Sequence, residues 1–392
     1  MGVPKRYSIM LLTELHLKSD VLKECCESIT LVNSSQEVWL SSDIEVNKKI
    51  SYKLYAIKNV PNYLNVNFNN DKSYSIKKFR SIKGFTMSLG NYSDIDSYMQ
   101  DQFKTKRRNE LFRRIKKLEK SFNINYKCFH GTVDKGECLA LLASLKEMII
   151  SRFQQRNQVS DSLKNWMQIQ TTIHSLIKDK KASLFVIYNE DIPISISICY
   201  HYGNVFFSYI TSYDIDYYKF GLGNIMLYKK LEWCFKNNYK FLDLGWGELN
   251  YKRRWCNHIH NLEHYILFPN NSFPGFLMAI WEGNKTRLKA CLLSSKLNKI
   301  FKRVIRLIKP RSNHLKTATK FIYENLEYSC STDGLIPVDL TNEKYSHLKV
   351  LKNDFIYRTE EYYSDVKMYS LLNEGVYIIK GKKHCKKVVF IS

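Results

Sequence analysis

The chain predicts an α+β fold on a mixed, mostly antiparallel sheet flanked by helices, and two stretches carry that prediction. Leu184–Tyr188, Pro193–Tyr200 and Val205–Ser212 are apolar runs joined by the short turns Asn189-Glu190-Asp191 and Gly203-Asn204, which is an antiparallel meander. The third run leads into a turn holding Gly221-Leu222-Gly223. Ile225, Tyr228, Leu231 and Phe235 then recur at helical spacing, and Tyr239–Leu244 reads as the next strand. Asn224 stands where a helix N-cap would accept from an early backbone N–H. The turn sets bare N–H groups at a helix N-terminus, which favours an anionic ligand.

The elements before this unit follow from spacing. Residues 1–90 hold short strand-like runs, Lys53–Ile57 and Ser75–Lys78 among them, with turns at Asn33–Ser35 and Asn69–Asp71. Ser93 is the expected cap of a helix carrying Ile95 and Tyr98. Residues 104–120 form a basic helix whose Leu111, Ile115, Leu118 and Phe122 make one apolar stripe, leaving a cationic face. A solvated face is the ordinary reading of such a pattern, and a docking surface for a polyanion is the sharper one. Asn123–Phe129 reads as a strand, and helices follow at about Glu137–Phe153 and Ser162–Lys178.

Beyond the meander, Cys256, His258 and His260 alternate, and Tyr265–Phe268 ends the region near Pro269. On a strand the three would share one face, yet no second ligand pair has zinc-like spacing, so no metal is expected. Residues 272–310 are helical, apolar and basic. They fit either a packing helix pair or a segment lying on an anionic membrane surface, and packing is favoured because a clean cationic opposite face is missing. Pro310–Asn313 reads as a linker. A helix near Leu315–Leu326 and a closing hairpin, Val376–Ile379 with Val388–Ile391, complete the chain.

Composition bounds the partners. The 392 residues are 44% hydrophobic, enough for a real core. Lys plus Arg is 61 against 37 for Asp plus Glu, a net charge of +24. That suits nucleic acid, an anionic membrane face, an acyl carrier protein or a phosphate-bearing cofactor. Ten cysteines without a CxxC pair, mostly within apolar runs, fit reduced thiols in a cytoplasmic protein. The apolar run Ile9–Leu12 is too short for a signal peptide, and no stretch has the length of a membrane span. The expected location is the cytoplasm, including the inner face of the membrane.

Two motifs carry chemistry. Lys219-Phe220-Gly221-Leu222-Gly223-Asn224-Ile225 reads as a pyrophosphate cradle of backbone N–H groups with Lys219 adding charge, against the alternative of an ordinary glycine turn. The meander in front of it argues against a dinucleotide site, which needs alternating strands and helices. Asp243, Trp246, Glu248, Tyr251, Lys252 and Trp255 follow on a strand end and a Gly-containing bend. Asp243 there orients a loop or a substrate amine, Glu248 is a candidate base and Tyr251 a candidate acid.

Together YYKFGLGN and LDLGWGELNYKRRW resemble the GNAT acyltransferases, in the CelD-type branch associated with cellulose and other exopolysaccharide biosynthesis. Lys219, Phe220 and Gly223 match the Arg, Tyr and Gly of that branch's loop. Asp243, Gly247, Tyr251, Lys252 and Trp255 fall in register with its second segment, and Glu248 replaces its acid. The wider family's Gln or Arg is Tyr218 here. The resemblance covers about residues 100–268. It implies a splayed sheet gripping an acyl-CoA co-substrate, its pyrophosphate on Lys219, Phe220, Gly221, Leu222, Gly223, Asn224 and Ile225. Trp246, Lys252 and Trp255 would contact the substrate. An amine, an amino sugar for instance, would attack the thioester in surface-polysaccharide or cell-envelope metabolism.

The related FemAB-like transferases take their acyl group from aminoacyl-tRNA, which is the second functional reading. A non-catalytic scaffold of a polysaccharide-synthesis complex is the third. The implied organisation is a degenerate GNAT-like half at 1–118, a catalytic domain at 119–268, a basic amphipathic helical segment at 269–312 and a small α+β appendage at 313–392.

Overall fold

A computed structural model describes residues 4–15, 20–32, 37–40, 53–69, 73–156, 158, 160–294, 320–326, 334–371 and 375–391. The expected turn at Asn33–Ser35 and linker at Pro310–Asn313 lie outside them.

The chain starts with β1 (Lys5–Met10), α1 (Leu11–Glu14), α2 (Asp20–Cys25), β2 (Cys26–Leu31), β3 (Glu37–Leu40), β4 (Lys53–Val60), β5 (Leu64–Phe68) and the long β6 (Tyr74–Ser88). Helices α3 (Ile95–Gln102) and α4 (Thr105–Ser121) precede β7 (Ile124–Phe129), then come α5 (Lys135–Gln154) and α6 (Trp166–Lys178). The meander is β8 (Ala182–Asn189), β9 (Ile192–Tyr202) and β10 (Val205–Tyr213). Next are α7 (Leu222–Lys236), β11 (Phe241–Trp246), α8 (Asn250–Trp255), β12 (His258–Pro269) and α9 (Phe273–Ser294). The last part holds β13 (Lys320–Leu326), β14 (Ile336–Pro337), α10 (Lys349–Thr359), β15 (Lys367–Ser370), β16 (Val376–Lys380) and β17 (Cys385–Ile391).

Nine strands form one sheet in the order β1-β4-β12-β6-β11-β10-β9-β8-β7. It is antiparallel except for the β1–β4 and β10–β11 pairs. This is the mixed, mostly antiparallel α+β sheet expected from the meander and the strand–helix–strand unit. Strands β1, β4 and β6 of the first ninety residues share it with β7–β12. Strand alternation divides the core: Ile196, Ile198 and Phe207 face α5 and α6. Cys199 and Phe206 face α3, α4 and α7. A separate five-stranded sheet, β13-β17-β16-β15-β14, forms the small α+β appendage with α10.

Several local expectations change. Residues 320–326 are a strand, not the end of a helix, because their whole length pairs with β17 from Lys320↔Ile391 to Leu326↔Cys385. The α7 N-cap is Gly221 in the left-handed region (φ 73°), a conformation glycine adopts without a Cβ penalty. Asn224 instead lies in the first turn and accepts from Trp255 Nε1 at 3.0 Å. Asp94, not Ser93, caps α3, in a reciprocal box with Ser97. The helix expected from Ser162 begins as a 3₁₀ turn, Asp161–Leu163, and becomes α-helical at Trp166.

Candidate active site

The site forms where two parallel strands part. β10 and β11 pair only at Val205↔Phe241, Phe206↔Leu242 and Phe207↔Asp243. β10 runs on to Tyr213 and β11 to Trp246, so the sheet opens beyond Phe207 and Asp243. A cleft of about 1140 Å³ fills the gap, with Phe207–Ile210 on one wall and Leu244–Leu249 on the other. The segment around Ser160–Asn165, the end of α9 at Ala290 and Cys291, and Ser81–Lys83 of β6 also line it. The β10–β9 ladder shifts register between Ser208 and Ile210, so Tyr209 is the extra residue of a bulge on the cleft wall. Such a residue is left out of the ladder, and bulges re-aim side chains next to sites.

Each wall rests on a buried polar group. Behind β10, Lys230 of α7 is 2% exposed and donates to Ser208 Oγ (2.7 Å), Ser197 Oγ (3.0 Å) and Thr211 Oγ1 (3.1 Å). Burial lowers its pKa, and no carboxylate compensates it. Behind β11, Asp243 is 1% exposed. It accepts from Tyr63 Oη (2.5 Å), Thr86 Oγ1 (3.0 Å) and the Gly245 backbone N–H. Burial raises its pKa against the pull of those donors. Gly245 has φ 68°, and a Cβ there would lie 3.3 Å from the Phe207 ring, so the bend closes directly over the strand fork.

Lys252, on α8, reaches back into the cleft. Its Nζ donates to the carbonyls of Leu244 (2.7 Å) and Trp246 (2.5 Å), and it is buried. Burial pushes its pKa down to about 8, partly offset by the Asp243 charge. A lysine so poised is partly neutral just above neutral pH and holds the bend through two carbonyls.

The other expected site residues separate into groups. Trp246 and Glu248 line the cleft with Lys252. Glu248 is exposed and is held by the Arg253 guanidinium, with Nε at 2.8 Å. Tyr251 is exposed and absent from the lining. Trp255 is a core residue, edge-on to Phe103 at 4.8 Å, and does not reach the cleft.

In the glycine loop, Phe220, Leu222 and Ile225 are fully buried, backbone included, and the N–H groups of Gly221, Asn224 and Ile225 already donate to carbonyls of the turn. The Arg114 guanidinium lies over Gly221 at the α7 N-terminus, where a Cβ would meet Nη1 at 2.8 Å, and is itself ion-paired to Glu110 (2.5 Å). Gly223 packs on the Tyr213 ring. Lys219 pairs with Asp354 of α10 (3.4 Å), Asn353 Nδ2 donates to the Asp216 carbonyl (3.2 Å), and Phe220 meets Tyr357 edge-on (5.1 Å). The appendage therefore clasps this loop. Burial and the neighbouring Asp214 push the Asp216 carboxyl up to about 7.

The imidazoles of His258 and His260 stack at 4.8 Å, whereas Cys256 is the C-cap of α8 and precedes β12. His260 is buried and pushed down to about 4 by burial, with His258 adding to the shift. No group suited to holding a metal ion occurs among the described residues.

Sequence reasoning missed Lys230, Ser208, Tyr63, Thr86 and Arg114. Lys230 had a local signal, because it sits between Met226 and Cys234 at helical spacing on the apolar face. Tyr63 and Thr86 had none, lying 180 and 157 residues before their partner Asp243.

No curated protein matches this chain. Among solved structures it is similar to FemX, with 10% identity over 49% of this chain and 65% of that one, and a TM-score of 0.38. For L-PGS from Bacillus licheniformis the values are 12%, 55% and 68%, with a TM-score of 0.34. For a GCN5-related N-acetyltransferase from Kribbella flavida they are 8%, 56% and 69%, with a TM-score of 0.28. This chain thus spans just under two thirds of the FemX chain. Residues 105–253, from α4 into α8, match the family model described as acetyltransferase (GNAT) domain, the span that contains both parted strands and the glycine loop.

Proposed function

We propose that the cleft between β10 and β11 transfers an acyl group from acyl-CoA to an amine. The acceptor class is an amino sugar or similar amine of surface-polysaccharide or cell-envelope metabolism, as in the CelD-type branch. The observation that carries this reading is the fork itself. After three paired residues the strands part and leave a deep slot whose two walls are each braced by a buried polar group. A slot open between two backbones suits an extended thioester arm.

In this reading the pyrophosphate lies against Gly221 and Gly223 at the start of α7, with Arg114 beside it. The acyl thioester enters the fork, and a backbone N–H at the Tyr209 bulge is the donor assigned to its carbonyl oxygen. The amine nitrogen attacks the carbonyl carbon, a C–N bond forms, and the C–S bond breaks. The amine gives up a proton to Glu248 after release from Arg253, and the thiolate takes one from Lys252 across the bend. Lys252 and Trp246 hold the acceptor side. Binding of acetyl-CoA or a longer acyl-CoA should raise the melting temperature, since a ligand of the native state alone stabilises it. No shift with any acyl-CoA at saturating concentration overturns the reading.

A second reading takes the acyl group from aminoacyl-tRNA. The observation favouring it is the face of α4 beside the glycine loop, where Lys106, Arg107, Arg113 and Lys116 are all exposed. Nucleic acid that co-purifies and survives moderate salt, with no acyl-CoA shift, would decide for it.

A further inference from the structure

Helix α9 is apolar on two opposite faces, and only one is used by the fold. Its inner face packs on β6 and β12 through Ala279 and Gly283, the latter so close to Phe79 that no side chain fits. The inner face also carries the only carboxylate of α9, Glu282. It is buried and ion-paired to Arg6 (2.5 Å) and Lys58 (3.4 Å).

The outer face presents Phe273 (72% exposed), Leu277 (50%), Trp281 (61%) and Leu288 (61%). Their spacing of 4, 4 and 7 residues sets them in one stripe along the helix. Single exposed apolar residues are ordinary, but an aligned row of large ones marks an interaction surface.

Charge says what covers it. Every exposed charged residue of α9 is a cation: Lys285, Arg287 and Lys289. Lys285 lies over the Trp281 ring at 4.9 Å, an aromatic–cation pair at the edge of the stripe. From Gly283 to Tyr323 the sequence has twelve Lys and Arg residues and no Asp or Glu. Two such faces repel each other, so a second copy of the chain is a poor occupant. An apolar stripe with a protruding Trp beside cations matches a surface that is apolar beneath and anionic above.

We propose that the outer face of α9 docks on an anionic lipid bilayer. No described helix is long and apolar enough to cross a membrane, so the contact is interfacial. It does not depend on the acyl-transfer reading. The same helix lines the cleft at Ala290 and Cys291, so docking sets the cleft mouth near the lipid surface.

The test is sedimentation of the full chain with vesicles of phosphatidylcholine alone and with about 30% phosphatidylglycerol. The protein should partition onto the phosphatidylglycerol vesicles at least about tenfold better, and rising salt should release it. Trp281 is the one exposed tryptophan of the six, so its emission should shift to the blue on binding. Trp281→Phe should lose the shift and keep the binding. The pairs Leu277→Ser with Leu288→Ser, and Lys285→Glu with Lys289→Glu, should each weaken binding about tenfold without changing the melting temperature, since all four positions are exposed. Equal partition onto both vesicles, no partition onto either, or wild-type binding by both pairs overturns the proposal. So does a concentration-dependent dimer that the two serine substitutions abolish.

Discussion

The glycine loop at the start of α7 and the fork between β10 and β11 belong to one strand–helix–strand unit, yet they are built differently. The loop is closed from outside. Its apolar side chains are in the core, and α10 of the appendage holds Lys219, Asp216 and Phe220 from the far side. The fork is open, and its support is internal. Lys230 braces one wall through Ser208 and Asp243 the other through Gly245. The loop's charged clasp, Lys219–Asp354, reaches solvent on the lysine side, whereas the fork walls rest on polar groups that are wholly buried. Function should therefore be fragile at the fork and adjustable at the loop.

The largest effect is expected at Asp243. Asp243→Ala leaves the hydroxyls of Tyr63 and Thr86 and the Gly245 N–H without an acceptor, and should cost about 3 kcal/mol by denaturant unfolding. A loss below about 1 kcal/mol would mean that the β11 wall does not rest on this carboxylate. Lys230→Met should separate stability from activity. Ser197 and Thr211 keep each other at 2.7 Å, so stability should change by under about 1 kcal/mol. Ser208 loses its donor, so turnover should drop tenfold or more, an outcome read from parallel melting and rate measurements.

A smaller effect is expected from Lys252 through pH. Its folded pKa of about 8 lies below the unfolded value near 10.5. Between those values the unfolded chain binds more protons, so this group makes stability rise with pH from about 8 to 10.5. Lys252→Met should flatten that rise in unfolding curves taken across the window. The smallest effect belongs to the loop. The Lys219–Asp354 pair is about a third exposed on the lysine side, so Lys219→Ala should cost no more than about 1 kcal/mol. Its effect should fall on donor affinity, read as KM with kcat kept. A collapse of kcat instead would erase the contrast between loop and fork.

The fold was legible where contacts are local. The meander with its two turns, the glycine turn and the α7 stripe all follow from adjacent residues. Residues 320–326 were misread because Phe321 and Tyr323 can fit either period, and only the distant β17 decides the strand. The candidate site was half legible. Trp246, Glu248 and Lys252 line the cleft, whereas Trp255 serves the core. What braces the fork, Tyr63 and Thr86 on one wall and Ser208 on the other, comes from separate strands that meet only in the folded sheet. The outer stripe of α9 was half legible for another reason: residues 272–310 read as either a packing helix pair or a segment on a membrane surface, and only the fold shows that a single helix both packs and exposes an apolar face.

The most direct measurement is a crystal structure with a non-transferable thioether analogue of acyl-CoA. Acyl transfer in the fork requires the acyl carbon between Phe207–Ile210 and Leu244–Gly247, with the pyrophosphate at the start of α7. An analogue bound elsewhere on the molecule, with the fork empty, would contradict it.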